Sequence, residues 1–368
     1  MLTSAAIAVE PGQPLQIADI TLDDPRDDEI LVDVRATGIC HTDMSAAAGR
    51  LGVQMPVVLG HEGAGVVVAV GSLITSVAPG DRVILAPDFC GRCDQCRTGF
   101  TTYCEKSRAL IFAGTREDGS TKAHRDGAPV RAGFFGQSSF SRYALVTERN
   151  VLKVTTDAPW HELAALACGV STGAASALLA LDVRPAHSFT VFGVGTVGLA
   201  AIMAARMAGM RSIIAIDRHP ERLELAKTLG ATSTLNTDEA SDIATALKDL
   251  TRGGTDRALD TTGVPALIAS AVDALAIRGV CGFVAGMGAH IDIDLGPMLV
   301  KGAQLRGIMG GDATGLVFLA DLVAAYEAGD YPIDRLITTY PLANINEAFA
   351  DMASGRTVKP VITFADAG

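Results

Sequence analysis

Positive charge is scarce in this chain. Its 368 residues carry 30 Lys and Arg against 41 Asp and Glu, a formal net charge of −11, which repels a phosphate backbone and argues against a nucleic-acid partner. The N-terminus, MLTSAAIAVEPGQPLQ, lacks a basic segment followed by an apolar one, so no secretory signal is read and a cytoplasmic setting is expected. One uncharged run, LAALACGVSTGAASALLAL at residues 163 to 181, is long enough to suggest a membrane span. Ala, Gly, Ser and Thr dominate it, however, and a buried helical region is the expectation. Internal repeats and low-complexity tracts are not evident. What remains is a globular chain, 49% hydrophobic, whose length suggests two domains.

Four of the seven cysteines stand within CGRCDQCRTGFTTYC, at Cys90, Cys93, Cys96 and Cys104. Stable disulfides are rare in a reducing compartment, and the first three thiols sit too close in sequence to pair comfortably. The spacing C-x2-C-x2-C-x7-C instead lets one loop direct four thiolates at a tetrahedral zinc, with no position left for substrate. An iron–sulfur cluster uses similar ligands, but no second cluster signature accompanies it. A nucleic-acid zinc knuckle is the remaining alternative, and the stretch lacks aromatic residues among its basic ones.

Of the other cysteines, Cys40 lies in ATGICHTDMS, Cys168 in LACGVSTGA and Cys281 in RGVCGFVAG; Cys281 reads as an ordinary strand residue. Taken alone, Cys40 reads as a small core residue and His61, in LGHEGAGVVVAVG, as a structural histidine. Together Cys40, His61 and Cys168 make the three-ligand pattern of a catalytic zinc with its fourth position open.

Residues 188 to 217 read SFTVFGVGTVGLAAIMAARMAGMRSIIAID. A β-rich run ends at Gly193, an apolar helical stretch follows, and a second β-branched run ends at Asp217. Gly193, Gly195 and Gly198 therefore form a G-x-G-x-x-G between a strand and a helix, the fingerprint of a dinucleotide site with pyrophosphate on the helix N-terminus. A carboxylate at Asp217 suits ribose hydroxyls and repels a 2′-phosphate, so NAD is expected over NADP. Arg218, His219 and Arg222 nearby could instead accommodate a phosphate, or simply be a solvated helix start. Further strands are expected at TSTLN, RALDTT, VCGFVAG and QLRGIM, with helices around 238 to 250 and 264 to 277, as a doubly wound parallel sheet requires.

The run GHEGAGVVVAVGSLI, the four-cysteine lobe and the C-terminal VKPVITF resemble the zinc-dependent medium-chain alcohol dehydrogenases over essentially the whole chain. The resemblance implies an α/β fold: a Rossmann doubly wound parallel sheet at residues 170–308, plus a β-rich, GroES-like catalytic domain at 1–169 and 309–368 that carries the zinc lobe at 90–104. It implies one structural and one catalytic Zn2+, the latter on Cys40, His61 and Cys168 with Glu62 as a nearby carboxylate. It also places Asp43 on the other nitrogen of His61, although a helix N-cap is an alternative for this residue.

Thr42 would accept a bond from the zinc-bound oxygen and pass the proton to the ribose, and hydride would pass to NAD. His41 and Lys359 fall where the family places cations on the pyrophosphate, or else lie at the surface; Val194, Thr172 and Arg222 complete the expected cofactor contacts. The best-known proton relay of the family ends in a histidine, and Ser45 stands in its place, so water, His41 or another group must finish the relay. GFFGQSSFSRYALV at 133 to 146 resembles the aryl-alcohol (benzyl-type) branch more than the glutathione-dependent formaldehyde branch. The expected substrate is a primary aryl or allylic alcohol; geraniol, an aliphatic alcohol or a polyol are alternatives. A small-molecule alcohol or aldehyde as partner and a homodimer or homotetramer complete the expectation.

Overall fold

The structure, a computed structural model, describes residues 1–286, 288–313 and 315–365. It divides into two compact units. The first comprises Met1–Cys168, Thr314–Glu327 and Ile333–Gly368; the second comprises Gly169–Ala313 and Ala328–Pro332. Beside the division expected from sequence, the second unit runs on to Ala313 and takes back a short excursion at Ala328–Pro332. Tyr331 explains the excursion, because its ring is fully buried and its hydroxyl donates to the carbonyl of Ala200 within the second unit.

The strands, in chain order, begin with β1 (Leu2–Ala8), β2 (Gln16–Leu22), β3 (Glu29–Gly38), β4 (Val57–Val58), β5 (Gly63–Val70) and β6 (Arg82–Leu85). They continue with β7 (Ala123–Arg125), β8 (Ala128–Val130), β9 (Tyr143–Thr147) and β10 (Val151–Val154). Next come β11 (Ser188–Phe192), β12 (Ser212–Asp217), β13 (Ser233–Asn236), β14 (Thr255–Asp260), β15 (Leu275–Phe283) and β16 (Gln304–Gly307); β17 (Ile337–Pro341) and β18 (Lys359–Thr363) close the chain.

Among the described residues the first unit holds two sheets. One has the order β4-β1-β2-β7-β8; the other runs β10-β6-β5-β3-β18-β17, with β9 also pairing β3. Strand β3, EILVDVRATG, is buried at nine of its ten positions, because it is paired with β5, β9 and β18 and covered on its faces. Its buried charged members are paired, Glu29 with Arg116 and Asp33 with Arg142. Its C-terminal end delivers the chain directly into helix α1 (His41–Ala47).

The apolar run that suggested a membrane span is helix α2 (Trp160–Ala180), and 72% of its most apolar window is buried inside the protein. Two of its turns, Leu166–Val170 and Ser176–Ala180, are π-helical. Such bulges are frequent at functional sites, and Cys168 lies in the first of them.

In the second unit all pairings are parallel and the strand order is β13-β12-β11-β14-β15-β16. This is the doubly wound order in which the chain reverses between β11 and β14, the place where such sheets bind ligands. Helix α3 (Thr196–Met207) follows β11. The helix expected around 238 to 250 starts only at Ile243, since the Asp242 side chain caps it by accepting from the amide of Thr245. The one expected at 264 to 277 is Pro265–Asp273, opened by proline at its first position, and Leu275 already belongs to β15.

Candidate metal centres and dinucleotide turn

The Cys90–Cys104 segment brings its four sulfur atoms within 4.8 Å of one another. Backbone amides point at the sulfurs: Cys90 N–H donates to Cys104 Sγ at 3.3 Å and Cys93 N–H to Cys90 Sγ at 3.4 Å. Burial opposes ionisation of Cys90, but amide hydrogen bonds from Arg92 and Cys93 and the neighbouring thiols overcome it and bring the thiol down to about 6. All seven cysteines are free of disulfides among the described residues. Four convergent thiols with amide support are the donor set of a closed zinc site.

The second donor set draws on three separate parts of the first unit. Cys40 follows β3 and precedes α1, His61 and Glu62 directly precede β5, and Cys168 sits in the π-turn of α2. Donor atoms of all four lie within 4.8 Å of one another. His61 is fully buried; its Nδ1 lies 3.0 Å from Asp43 Oδ1, and its Nε2 has no hydrogen-bond partner among the described residues. A buried imidazole nitrogen with no hydrogen-bond partner, beside two thiols, has the donor chemistry of a metal ligand. The residues present therefore fit zinc.

Asp43 meets His61 as foreseen, but it is not the N-cap, which is Cys40; it stands at the third helical position and closes a capping box. Oδ2 accepts the Cys40 amide at 2.9 Å across the first turn of α1, while Oδ1 takes the Gly60 amide at 3.1 Å as well as the His61 ring. Burial alone would lower the basicity of His61, but the charge and hydrogen bond of Asp43, then Cys40, push it well above its ordinary value. The hydrogen bond shared with Cys168 is the main reason Cys40 falls well below the usual thiol range.

Glu62 is fully buried and ion-paired with Lys359, whose ammonium also donates to the carbonyl of Ile39 at 3.2 Å. Lys359 is 1% exposed. The resemblance places it on a pyrophosphate, with the surface as the alternative; the surface alternative is wrong, because its ammonium is buried against Glu62. Burial works against its charge, but Glu62 raises it again. Gly38 makes room for this pair, since a Cβ there would overlap both side chains. Sequence reading missed Gly38, because nothing local distinguishes it from any strand-end glycine.

Thr42 is half-buried, with its hydroxyl 3.6 Å from Cys40 Sγ. His41 is exposed, and Ser45 accepts a hydrogen bond from the exposed Arg50 guanidinium at 3.2 Å. Against the His61 ring lies Phe135, stacked at 4.3 Å between centroids with an interplanar angle of 26°; Phe134 meets the same ring edge-on at 5.8 Å. Phe112 in turn sits edge-on to Phe135 at 5.7 Å.

The glycine turn of the second unit is built as its spacing demands. Gly193 adopts φ +82°, and a Cβ on Gly198 would strike the Gly193 carbonyl. A Cβ on Gly195 would meet nothing within 4 Å among the described residues, which leaves the close approach a pyrophosphate needs at the start of α3. Asp217, at the end of β12, accepts the Val194 amide at 2.8 Å through Oδ2 and the His219 amide at 3.0 Å through Oδ1. It therefore braces the turn, and each oxygen retains a lone pair for a ribose hydroxyl. Val194 is buried behind the turn, Arg222 is half-buried on the helix after β12, and Thr172 is half-buried on α2. The residues present fit a dinucleotide. Thr261, which the sequence did not single out, donates to the carbonyl of Gly193 at 2.8 Å and holds the turn from the residue after β14.

Comparison with known proteins agrees with this geometry. The "Alcohol dehydrogenase GroES-like domain" family matches residues 26–156, and the "Zinc-binding dehydrogenase" family matches residues 196–324. A geraniol dehydrogenase of Castellaniella defragrans is 38% identical over 98% of this chain and 97% of its own length. An S-(hydroxymethyl)glutathione dehydrogenase of Escherichia coli is 38% identical over 99% and 100%. The crystal structure of benzyl alcohol dehydrogenase from Acinetobacter calcoaceticus superimposes with a TM-score of 0.95 at 38% identity, covering 99% of this chain and 100% of that one. The chain belongs to the zinc-dependent medium-chain alcohol dehydrogenases.

Proposed function

We propose that this alcohol dehydrogenase interconverts a primary aryl or allylic alcohol and its aldehyde, with NAD as the hydride carrier. The observation that carries the substrate class is the aromatic wall beside the three-donor site: Phe135 stacked on His61, with Phe112 edge-on to it and both rings half-exposed. A flat, polarisable substrate gains from such faces beyond simple area burial. The geraniol and benzyl alcohol dehydrogenases among the relatives support an unsaturated alcohol, and the glutathione-linked relative keeps the alternative open to test.

Bound at their sites, zinc supplies a Lewis acid that acidifies an alcohol, and NAD supplies a two-electron hydride acceptor. Cys40, His61 and Cys168 would hold the metal, with Glu62 at its side. Asp43 keeps the imidazole in one orientation through Nδ1. The Thr42 hydroxyl accepts the proton leaving the alcohol and passes it outward. Ser45 carries no group that titrates near neutrality, so the proton leaves through water or the exposed His41. Gly193, Gly195 and Gly198 seat the pyrophosphate, Asp217 binds ribose, and Val194, Thr172 and Arg222 border that site. Lys359 pairs with Glu62 and keeps the role on the pyrophosphate that the resemblance implies.

A cytoplasmic setting and a homodimer or homotetramer belong to the same reading. The clustering of Cys90, Cys93, Cys96 and Cys104 as a metal donor set supports the first. Leu299 and Val300, 83% and 86% exposed on the helix Leu295–Lys301 just before edge strand β16, support the second.

The test is turnover of benzyl alcohol, geraniol, ethanol and sorbitol, followed at the absorbance of reduced nicotinamide. Benzyl alcohol or geraniol is expected to exceed ethanol in kcat/KM by about tenfold or more, the scale of one good aromatic contact. Ethanol or sorbitol turning over fastest would overturn the substrate class.

A further inference from the structure

The backbone carrying His61 and Glu62 is gripped from two sides. On one, Asp43 takes the Gly60 amide and the His61 ring. On the other, the fully buried Gln137 donates from Nε2 to the carbonyl of His61 at 3.0 Å and accepts the Gly63 amide on Oε1 at 3.1 Å. In extended backbone the carbonyl of one residue and the amide two residues on point the same way, so a single carboxamide closes both, as a neighbouring strand would. No other neutral side chain of that length offers a donor and an acceptor at one end.

Gln137 is itself held in place at conformational cost. Phe135 and Ser138 on either side adopt φ +54° and +52°, and Gly136 φ +80°. Such outliers persist where their surroundings over-determine them. Here the buried Lys122 ammonium donates to the Gly136 carbonyl at 3.0 Å, Asn150 Nδ2 donates to the Phe135 carbonyl at 3.2 Å, and the Ser138 hydroxyl donates to Val58 and accepts from the Phe134 amide. The same bend lays the Phe135 ring on His61.

We propose that Gln137 is a positioning residue for the three-donor metal centre, holding the His61–Gly63 backbone in register so that His61 and Glu62 stay in one donor set with Cys40 and Cys168. The inference rests on the zinc reading given above. It requires only that the backbone bearing two donors be free to shift when its outer brace is removed.

The experiment is zinc release from the holoenzyme to excess chelator, read with a zinc-sensitive dye, in wild type and in Gln137→Met, which keeps the volume and removes both hydrogen bonds. Wild type is expected to release two equivalents in a faster and a slower phase, assigned with Cys40→Ser and Cys93→Ser. In Gln137→Met the three-donor phase should quicken by about 10- to 100-fold, the range for losing an outer-shell brace, while the lobe phase stays as in wild type and kcat falls more than KM rises. Should that variant fold poorly, Gln137→Asn keeps the amide but is too short to span both groups and should give the same split. Unchanged phases, equal acceleration of both, or failure of both variants to fold would mark Gln137 as a packing or folding residue and overturn the proposal. A wild type that yields only the lobe equivalent would instead overturn the zinc reading on which the proposal rests.

Discussion

The two clustered donor sets of this chain are built in opposite ways. The lobe takes all four thiols from one stretch, Cys90–Cys104, and its supporting amides belong to the same loop. The second set takes Cys40, His61 and Cys168 from the end of a strand, the approach to another and a π-turn of a helix, and it is braced by Asp43 from the helix Cys40 caps and by Gln137 and Lys359 from still other segments. A closed, local site can form as soon as its loop does, and its binding energy goes into folding. A site assembled by the whole fold is held open at one position and depends on distant residues, which suits turnover.

The most severe way to break this comparison is to remove one ligand from each set. Cys40→Ser or Cys168→Ser should lower alcohol oxidation by more than about 100-fold, beyond the loss typical of outer-shell partners, with the lobe metal and the melting temperature nearly kept. Cys93→Ser should do the reverse, lowering the melting temperature by several degrees before it touches the turnover of the protein still folded. Equal thermal loss in all three variants would erase the distinction. A gentler cut is Asp43→Asn, which keeps the shape but not the charge beside His61; kcat/KM should fall by about 10- to 100-fold, measured beside metal content.

The second unit offers a control that touches neither metal. Asp217→Gly removes a carboxylate that braces the Val194 and His219 amides. The KM for NAD should rise by roughly tenfold or more, the worth of a hydrogen bond to a charged group, and the preference over NADP should narrow. Faster wild-type turnover with NADP than with NAD would refute the role given to Asp217.

Lys122 separates the brace from the sites by pH. Burial lowers its ammonium to about 8, against an ordinary value of 10.5, despite the opposing charges of Glu29 and Asp88. Between those values the unfolded chain binds the proton and the folded one does not, so this group makes stability rise with pH across that window, by up to about 3 kcal/mol. Chemical denaturation at pH 7 and pH 10 should show that slope in wild type and its loss in Lys122→Met. Parallel pH trends would contradict it. The smallest effect belongs to Ser45→Ala, expected to change turnover within the scatter of a surface substitution. Ser45→His should raise oxidation at pH 6 to 7 more than at pH 9, read in pre-steady-state cycles.

Legibility in the sequence followed the same divide. The lobe could be read outright, because its spacing alone defines it, and so could the glycine turn, whose Gly193 and Gly198 are required by a positive φ and a close approach. The ligands of the second set were legible only in combination and by family resemblance. Its bracing was not: Gln137 meets Gly63 from 74 residues away and Lys359 meets Glu62 from 297 away, and no local pattern records such pairings. Lys359 shows the cost, since its surface alternative was open in the sequence while the fold buries it against Glu62. Helix limits at Ile243 and Asp273 failed for a smaller reason, a capping aspartate and an early strand that hydrophobic periodicity does not register.

The central claim is that one chain carries two zinc sites of different kind, and metal stoichiometry tests it most directly. Elemental analysis of the active wild-type protein should give two zinc ions per chain, and Cys40→Ser should keep one while losing alcohol oxidation. An active wild type without zinc, or a Cys40→Ser protein that loses both ions or neither, would contradict the account.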